Sequence, residues 1–398
     1  MSRHSLSTTV LLSLSLLAVG CSKDSTDDAV DTGDTAEADT DTDTDTDTDT
    51  DTDTDTDTDT DTDTDTDEPA AQSTAVITTV ASDYSTGSFA TIDLDTMEIS
   101  DELFTTSGDP AVATDEGWVF QINRFGSDSI RVYEGGEWSA PVWEQSLGEY
   151  SNPHDAELCG GDLFVTLYGR DYVGVYDAAS GTLKGQVDLT DFSDSDGVTP
   201  EASTMVEVEG KLYVGLERWD TSGEWWANEE SIVVEIDCAT QAVTNSWPVG
   251  TNVKVMAWPG ETTILAAAEA FGNDVAGLYE LDPAANTKTL LVEATAGSFS
   301  GVAVSGSKAV AIAAAPDYSG YGTYCLDLQA GTSTEIEFGA SYLTSATGND
   351  RGHAWVTAGS SWIDATAPSG VKVFDIESCE AASDWMSFSL YPSSLAFY

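Results

Sequence analysis

The fold of this chain is decided by the stretch NPHDAELCGGDLFVTLYGRDYVGVYDAASGTLKGQVDL at residues 152–189. It contains four short runs of apolar, β-branched and aromatic residues, separated by segments rich in Gly and Asp. The runs lack the sustained 3.6-residue apolar period of a helix, and Asp and Gly at the breaks supply the chemistry of tight hairpin turns. The stretch therefore predicts four consecutive antiparallel strands.

One of these strands, which ends in an acidic turn and reads VYDAASG at 175–181, recurs six more times along the chain. The aligned acidic residues are Asp93, Glu134, Asp177, Asp237, Asp282, Asp327 and Asp375. Successive members lie 41, 43, 60, 45, 45 and 48 residues apart, and the longest interval contains an insertion at 218–231. Periods of roughly 40 to 50 residues are typical of propeller blades.

Closure of the ring is predicted from the two ends of the repeat series. Six repeats are preceded by an inner strand of their own, as in DPAVAT at 109–114, whereas the first repeat is not. The segment PSSLAFY at 392–398 matches DPAVAT in pattern, so we predict that it completes blade one. Closure removes a sheet edge that would invite aggregation. The predicted fold class is all-β, a seven-bladed β-propeller with four antiparallel strands in each blade.

These units also resemble a known family. NPHDAEL followed by DLFVTLYGRDYVGVYDAASGTL is similar to the repeats of YVTN/YncE-type seven-bladed β-propellers, with NHL-type propellers as near relatives. The resemblance covers about residues 71–398. It implies the fold and only loosely the function, because such propellers bind or catalyse many unrelated things.

The N-terminal segment is typical of an export signal. A short basic start with Arg3 is followed by an apolar run at 10–19 that is too short to span a bilayer. The stretch LLAVGC resembles a bacterial lipobox, which implies a lipoprotein signal peptide at 1–20, acylation of Cys21 and, with Ser22 next to it, sorting to the outer membrane or cell surface. The alternative is an ordinary cleaved signal with Cys21 as a bystander.

Residues 21–73 are predicted to be a disordered spacer ahead of a propeller domain at 74–398. The chain has a net charge of −58, and between Asp24 and Glu68 it holds 22 acidic residues and no Lys or Arg. Strict Asp-Thr alternation offers no apolar face to bury, so this segment cannot fold alone. Weak Ca²⁺ scavenging or Thr glycosylation is the alternative to a plain spacer. The acidic charge of the whole chain excludes nucleic acid as a partner.

Four cysteines follow Cys21, and an even number in an exported protein favours disulfides. On the strand scheme Cys159 and Cys238 lie on one rim of blades three and four. Cys325 and Cys379 are placed in the third strands of blades six and seven. Of the three possible pairings, only Cys159–Cys238 with Cys325–Cys379 joins neighbouring blades, so we predict these two bonds.

The top face of a propeller, where ligands usually sit, is formed by the loops between second and third strands and by the loops that lead into the inner strands. Five Arg occur after residue 69, and three of them, Arg124, Arg170 and Arg218, fall in these loops. With Trp219 and His154 beside them, they suit a carboxylate, phosphate or planar ligand. The alternative is that these arginines offset an acidic rim and join neighbouring blades by salt bridges.

A catalytic hypothesis rests on His154 at the start of an inner strand. With Asp155 to orient it, His154 could act as a general base in a metal-assisted lyase or hydrolase of the lactonase or streptogramin-lyase kind. The alternative is a polar channel residue that forms hydrogen bonds between blades. The loop DFSDSDG lacks the ligands of an EF-hand but could still gather Ca²⁺. Its candidate ligands are Asp191, Asp194, Asp196 and Glu201.

The sequence thus favours a lipid-anchored, non-enzymatic and monomeric binding module, with enzymatic activity left open and no cofactor other than the weak Ca²⁺ candidate. A small anionic ligand, a glycan or a protein would suit the top face. A deep, Arg-bearing channel would favour a small ligand, and a broad aromatic surface would favour a protein or a glycan. The tryptophans considered for such a surface are Trp219, Trp225, Trp226 and Trp362.

Overall fold

The computed structural model describes residues 71–195, 197, 199–220, 227–295 and 297–398. Within these ranges the chain forms β-strands and one short 3₁₀ helix, Thr190–Phe192. The strands make seven antiparallel blades around a central channel and one two-stranded ribbon. No helix in the described ranges is long and apolar enough to cross a bilayer. The predicted signal peptide, and the predicted spacer up to residue 70, lie outside the described residues.

The strands follow the chain from blade to blade. Blades one to three contain β1 (Thr74–Val80), β2 (Gly87–Asp93), β3 (Ile99–Thr106); β4 (Pro110–Asp115), β5 (Trp118–Asn123), β6 (Ser129–Glu134), β7 (Trp143–Ser146); β8 (Pro153–Cys159), β9 (Asp162–Leu167), β10 (Tyr172–Asp177) and β11 (Leu183–Asp188). Blade four and its ribbon contain β12 (Ala202–Val208), β13 (Lys211–Leu216), β14 (Trp219–Asp220), β15 (Ala227–Asn228), β16 (Ile232–Asp237) and β17 (Ala242–Pro248), with β14 and β15 forming the ribbon. Blades five to seven contain β18 (Thr251–Ala257), β19 (Ile264–Glu269), β20 (Gly277–Asp282), β21 (Thr287–Glu293); β22 (Phe299–Ser305), β23 (Lys308–Ala314), β24 (Tyr321–Asp327), β25 (Thr332–Gly339); β26 (Tyr342–Gly348), β27 (His353–Gly359) and β28 (Gly370–Asp375), and the closing strand is β29 (Tyr391–Phe397).

The C-terminal strand closes the ring as predicted. β29 pairs antiparallel with β1 in blade one, with Ala75 opposite Phe397 and Val80 opposite Tyr391. The next blade also holds this strand, because the Thr114 hydroxyl donates to the Phe397 carbonyl at 2.6 Å. The last strand of the chain therefore joins the first blade to the second.

Blade seven differs from the other six in its outer strand. Blades one to six have four strands each, whereas blade seven has β26, β27 and β28, followed by two isolated bridges. The bridges pair Val371 with Met386 and Phe374 with Ala381. The chain bends between them, because the N–H groups of both Ala382 and Ser383 donate to the Val373 carbonyl, at 2.8 and 3.3 Å. This bend interrupts the ladder that a regular fourth strand would make.

The acidic turns explain why the repeat can be found in the sequence. Each of the seven aligned acidic residues is the last residue of a third strand. Six of them are aspartates whose Oδ1 accepts the backbone N–H three residues on, at 2.7 to 2.9 Å. A short carboxylate that bonds its own backbone fixes a tight turn. The repeat therefore marks the hairpin between third and outer strands.

The core lies between the blades. In β9, Leu163, Phe164 and Val165 are completely buried. Phe164 packs with residues of blade four such as Val214, whereas Leu163 and Val165 pack with residues of blade two. Alternate side chains of one strand thus serve two interfaces, because successive residues point to opposite faces of the sheet. This is why the central strands read as unbroken apolar runs.

Both predicted disulfides are present, and each joins neighbouring blades. Cys159 bonds Cys238 with Cα atoms 5.8 Å apart, and Cys325 bonds Cys379 with Cα atoms 5.7 Å apart. One detail of the prediction was wrong: Cys379 lies in the segment after β28 and not in a third strand. Two disulfides indicate an oxidising, exported environment.

Candidate functional site

The inner strands surround a channel of about 760 Å³, and the channel widens at the top face into a cavity of about 1080 Å³. We call this wider cavity the funnel. The channel and the funnel are continuous, because they share five lining residues: Pro110, Arg124, Ser300, Thr344 and Ser393. Small-molecule pockets span about 300–1,000 Å³, so the funnel has room for a ligand of several rings.

One side of the top face, formed by blades two to five, carries charged side chains. We call it the charged sector and define it by Arg124, His154, Tyr168, Glu217, Arg218, Trp219 and Lys254. Its centre is the Glu217 carboxylate, which is only 6% exposed. Glu217 Oε1 accepts a hydrogen bond from Lys254 Nζ. Glu217 Oε2 accepts from the Tyr168 hydroxyl at 3.0 Å and from Trp219 Nε1 at 3.1 Å.

The charge of this centre follows from its contacts. Burial works to raise the pKa of Glu217, but the Lys254 ammonium and the Tyr168 hydroxyl outweigh burial and hold the pKa below its usual value. Burial and the nearby Glu217 carboxylate raise the pKa of Tyr168. At neutral pH the centre is therefore a carboxylate bound to an ammonium and a neutral phenol. These groups join blades three, four and five.

The structure places His154 in the channel wall, flat against Tyr168. The two ring centroids are 4.5 Å apart and the ring planes differ by 17°. Burial lowers the pKa of His154 to about 3, and the positive charge of Arg124 adds to this effect. The imidazole is consequently neutral at neutral pH. A general base works best with a pKa near the working pH, so this environment does not favour His154 as a base.

Asp155 is engaged by the backbone of the next blade. Its Oδ2 accepts the N–H of Met205 at 2.9 Å, and its Oδ1 accepts the N–H of Ala156 at 2.9 Å. Burial raises the pKa of Asp155 to about 6. The same kind of contact recurs nearby: Asp115 accepts the Leu158 N–H at 2.8 Å. Carboxylates on inner strands therefore join successive blades.

Arg124 and Arg170 are both engaged by neighbouring loops. The Arg124 guanidinium forms an ion pair with Asp109, and Nε lies 3.1 Å from the Asp109 carboxylate. The Arg170 guanidinium donates to the carbonyls of Glu149 at 2.6 Å and Gly169 at 3.1 Å. Arg124 lines both the channel and the funnel, whereas Arg170 lines neither cavity.

Arg218 joins the loop before blade four to the insertion within that blade. Its guanidinium donates to the carbonyls of Phe192 at 3.0 Å, Ser193 at 3.3 Å and Glu230 at 2.8 Å. It also pairs with the Glu229 carboxylate at 3.1 Å. The three arginines thus lie in loops between second and third strands, and each of them has an acceptor within the protein.

The acidic residues of the Ca²⁺ hypothesis lie near the 3₁₀ helix, except that Asp196 is outside the described residues. Asp191 is on the helix, and Asp194 Oδ1 accepts the Gly197 N–H at 3.2 Å. Glu201 binds the Trp219 N–H at 3.0 Å and the Thr199 hydroxyl at 2.6 Å. In the part of the chain that the structure describes, no three His, Cys, Asp or Glu side chains gather as metal ligands.

The opposite side of the top face, formed by blades six, seven and one, carries aromatic rings around the funnel. We call it the aromatic sector and define it by Tyr84, Tyr318, Tyr321, Tyr342, Trp362 and Tyr391, all of which line the funnel. Tyr321 is buried and meets Tyr342 edge to face, with centroids 5.2 Å apart. Trp362 Nε1 donates to the Tyr321 hydroxyl at 3.4 Å.

The predicted tryptophan surface is split between the two sectors. Trp219 belongs to blade four and bonds Glu217, whereas Trp362 belongs to blade seven and is 62% exposed. Trp225 and Trp226 lie outside the described residues. The structure therefore separates the two described tryptophans instead of bringing them together.

Glu217 and Lys254 of the charged sector and Tyr84 of the aromatic sector are not identified in the sequence analysis. Glu217 and Lys254 were not singled out, although Lys254 is the one Lys or Arg on the seven described inner strands. Tyr84 was missed although its loop, ASDYS at 81–85, has a near copy, APDYS at 315–319. A basic residue on a channel strand and a repeated aromatic loop were the available signals.

Comparison with known proteins shows the fold alone. No protein family model matches the chain, and no curated protein matches it. Many solved structures match the chain. A protein from Lactobacillus plantarum matches with a TM-score of 0.57 and 11% identity, over 82% of this chain and 99% of that one.

Two further structures give the same result. The β-propeller domain of Cps50 (Swd1) from Myceliophteria thermophila matches with a TM-score of 0.53 and 11% identity, over 77% of this chain and 98% of its own. A functionally unknown protein from Desulfotomaculum acetoxidans matches with a TM-score of 0.52 and 15% identity, over 82% and 98%. At such identities the likeness extends to the propeller architecture and not to a site. The chain is a seven-bladed β-propeller.

Proposed function

We propose that this chain is an exported, lipid-anchored binding module whose ligand enters the channel through the funnel on the top face. The observation that carries the proposal is the funnel itself. It is large, opens into the channel, and is lined by exposed aromatic side chains on adjacent blades. Exposed aromatic surface around a concave site is a usual feature of binding sites.

The geometry of His154 and Asp155 supports binding over catalysis. Burial holds the pKa of His154 at about 3. Asp155 directs its two oxygens to backbone N–H groups and not to the imidazole. The pair therefore lacks the arrangement in which a carboxylate orients a basic imidazole.

The lipid anchor is a proposal from LLAVGC at residues 16–21. We expect fatty-acid label on the wild type and none on Cys21→Ser, which should be released as a soluble protein. Equal label in both proteins, or release of the wild type, would remove the anchor from the proposal.

Thermal-shift screening of the full chain tests the binding function, because a ligand of the native state raises the melting temperature. The panel contains organic acids, neutral sugars, choline and divalent cations. Every compound that raises the melting temperature is then tested on Ser300→Trp. Ser300 is exposed and lines both the channel and the funnel, so an indole there would obstruct the mouth.

The matched control is Thr334→Trp, on the exposed outer strand of the same blade. We expect the thermal shift to disappear in Ser300→Trp and to persist in Thr334→Trp. An equal shift in both variants would show that the ligand does not use the funnel. A panel without any shift would contradict a small ligand.

A further inference from the structure

The aromatic sector contains the same loop twice, in blades one and six. Residues 81–85 read ASDYS and residues 315–319 read APDYS. In each loop the Asp Oδ1 accepts the N–H of the Ser two residues on, at 3.1 Å for Asp83 and 3.0 Å for Asp317. In each loop the Tyr N–H donates to the carbonyl of the first Ala, at 2.9 and 2.8 Å. Both loops connect the second strand of a blade to the third.

In these two loops the tyrosine backbone has an energetically unfavourable conformation. Tyr84 has φ 57° and Tyr318 has φ 55°, in the left-handed region that non-glycine residues rarely adopt. Such a conformation costs about 1–3 kcal/mol. Tyr84 is 64% exposed and Tyr318 is 63% exposed, so burial of the rings offsets little of this cost. Fifteen described non-glycine residues have positive φ, so it is the combination of this conformation with two exposed rings in matching loops that points to a function outside folding.

A third ring lies between them, on blade seven. Trp362 occupies the equivalent loop, between the second and third strands, and is 62% exposed. Its loop is fixed by Ser361, whose hydroxyl donates to the Ala340 carbonyl and accepts the N–H groups of Ile363 and Asp364 at 3.2 Å. Three adjacent blades thus present one exposed ring each on the same face.

The rest of the funnel on this side supplies hydroxyl groups. Its serines and threonine are Ser82, Ser298, Ser300, Thr344, Ser360, Ser361 and Ser393. The charged groups of the funnel already have partners: Arg124 pairs with Asp109, and Glu269 accepts from Asn252 Nδ2 at 3.1 Å and from Ser298 Oγ at 3.2 Å. Five of the seven hydroxyls also have protein partners, so the lining offers ring faces and the hydroxyls of Ser82 and Ser360.

We propose that Tyr84, Trp362 and Tyr318 form a platform for a neutral oligosaccharide, an inference that rests on the proposed function. The aliphatic faces of sugar rings pack on the three aromatic side chains. The sugar hydroxyls exchange hydrogen bonds with the hydroxyls of Ser82 and Ser360, because a serine hydroxyl can both donate and accept. Tyrosine and tryptophan supply such contact area at low entropic cost, because each has only two rotatable side-chain bonds.

Charge favours a neutral ligand over an anion. The sole base among the described residues of the funnel is Arg124, and Asp109 neutralises it. The chain as a whole has a net charge of −58, so an anion would be repelled. A cation would find aromatic faces, and choline is therefore included in the test as the competing class.

Calorimetric titration of the full chain with neutral oligosaccharides of glucose, galactose, mannose or N-acetylglucosamine tests the platform. We expect at least one series to bind, and Trp362→Ala, Tyr84→Ala and Tyr318→Ala each to weaken it about tenfold or more. The melting temperature of these variants should not fall, because the rings are exposed. The matched control is Phe125→Ala, which removes a 70% exposed ring from a top-face loop of blade two that lines neither cavity, and it should leave affinity unchanged.

The outcomes separate this inference from the proposed function. Absence of binding by all the sugars overturns the platform, and so does an equal loss of affinity in Phe125→Ala. If choline binds and depends on the three rings while sugars do not bind, the site is a cation site and the sugar assignment is wrong. In that case the binding function still stands, provided that Ser300→Trp abolishes the rise in melting temperature that choline causes. If the binding of a sugar depends on Trp362 but is unaffected by Ser300→Trp, the platform stands and the channel is no longer part of the proposed function.

Discussion

The charged sector and the aromatic sector of the top face differ in where their side chains find partners. In the charged sector, Glu217 is surrounded by Lys254, Tyr168 and Trp219, and Arg218 donates to three carbonyls. In the aromatic sector, Tyr84, Tyr318 and Trp362 each leave more than half of their surface exposed. The first sector joins blades to one another, and the second presents surface to solvent.

This difference teaches which side chains hold the ring together and which are available to a ligand. A side chain with several protein partners contributes to stability, and removing it leaves those partners unsatisfied. An exposed ring on a strained loop contributes little to stability, so a binding role accounts for it better. Substitutions in the charged sector should therefore lower stability, and substitutions in the aromatic sector should lower ligand affinity.

Deletion of residues 392–398 should have the largest effect, because it removes the strand that both sectors depend on. β29 pairs with β1 and contacts the neighbouring blade through Thr114. Without it, blade one exposes a sheet edge and the ring is open. We expect loss of cooperative thermal unfolding, or aggregation. The control removes seven residues of the Asp-Thr run, 50–56, and should melt like the parent. A deletion of 392–398 that also melts like the parent would contradict the role of β29.

Lys254→Met should have the next largest effect, because it leaves the Glu217 carboxylate buried without its ammonium. Breaking a fully buried pair costs about 3–5 kcal/mol, and since Lys254 is partly exposed we expect about 2 kcal/mol. Urea unfolding measures the change. The double variant Lys254→Met with Glu217→Gln should regain part of the loss, because it removes the unpaired charge. A double variant less stable than the single one would contradict this account.

Arg218→Ala should lower the free energy of unfolding by about 1–2 kcal/mol, because it leaves carbonyl groups without donors. Arg218→Lys should restore little, since an ammonium lacks the planar fork that reaches several acceptors at once. Thermal melts of both variants measure the effect, and titration with the ligand found by screening provides the second readout. Unchanged stability together with lost affinity would instead make Arg218 a ligand contact.

The features that were predictable from the sequence depend on local chemistry. Asp177 and five other aspartates repeat because each of their turns uses its own carboxylate, so six copies of one signal appear along the chain, with Glu134 at the seventh position. The closing strand was predictable because it copies the pattern of the other inner strands. The two disulfides could be inferred because blade order limits which cysteines are neighbours.

The functional sectors were harder to predict because they depend on packing between blades. Glu217 and Lys254 are 37 residues apart and meet only when blades four and five pack. Tyr84 and Tyr318 are 234 residues apart and flank blade seven only because the ring closes. The structure has the three arginines in loops between second and third strands, but their hydrogen-bond partners could not be predicted from spacing.

The buried carboxylates on the inner strands of blades two and three should make stability depend on pH. Burial, with Asp115 and Asp155 nearby, raises the pKa of Glu157 well above 4.5, and burial raises the pKa of Asp115 to about 6. A carboxyl whose pKa is raised in the folded state contributes stability below its unfolded pKa and loses it as pH rises through the folded pKa. Glu157→Gln removes one such group and keeps an oxygen for the Glu207 N–H.

We therefore expect Glu157→Gln to gain stability over the wild type as pH rises above about 5, with little difference at pH 4. Melting temperatures across this range measure the difference. The control Glu98→Gln, at an exposed position, should follow the wild type at every pH. A constant difference between Glu157→Gln and the wild type would show that titration of Glu157 is not the cause.

Tyr84→Asn should have the smallest effect, and it tests the aromatic sector directly. Asn tolerates the left-handed conformation that Tyr84 adopts at φ 57°, so the substitution relieves strain while it removes an exposed ring. We expect the free energy of unfolding to rise by about 0.5 kcal/mol, and oligosaccharide affinity to fall.

The control for that gain is Phe125→Asn. Phe125 is an equally exposed ring on a top-face loop, but it is not among the residues with positive φ, so its loss should bring no increase in stability. A stability gain confined to Tyr84→Asn would show that the loop holds Tyr84 at an energetic cost, which folding alone gives no reason to keep. If Tyr84→Asn is instead destabilising, the ring contributes to folding. The aromatic sector would then be a structural element like the charged one, and the distinction between the two sectors would be lost.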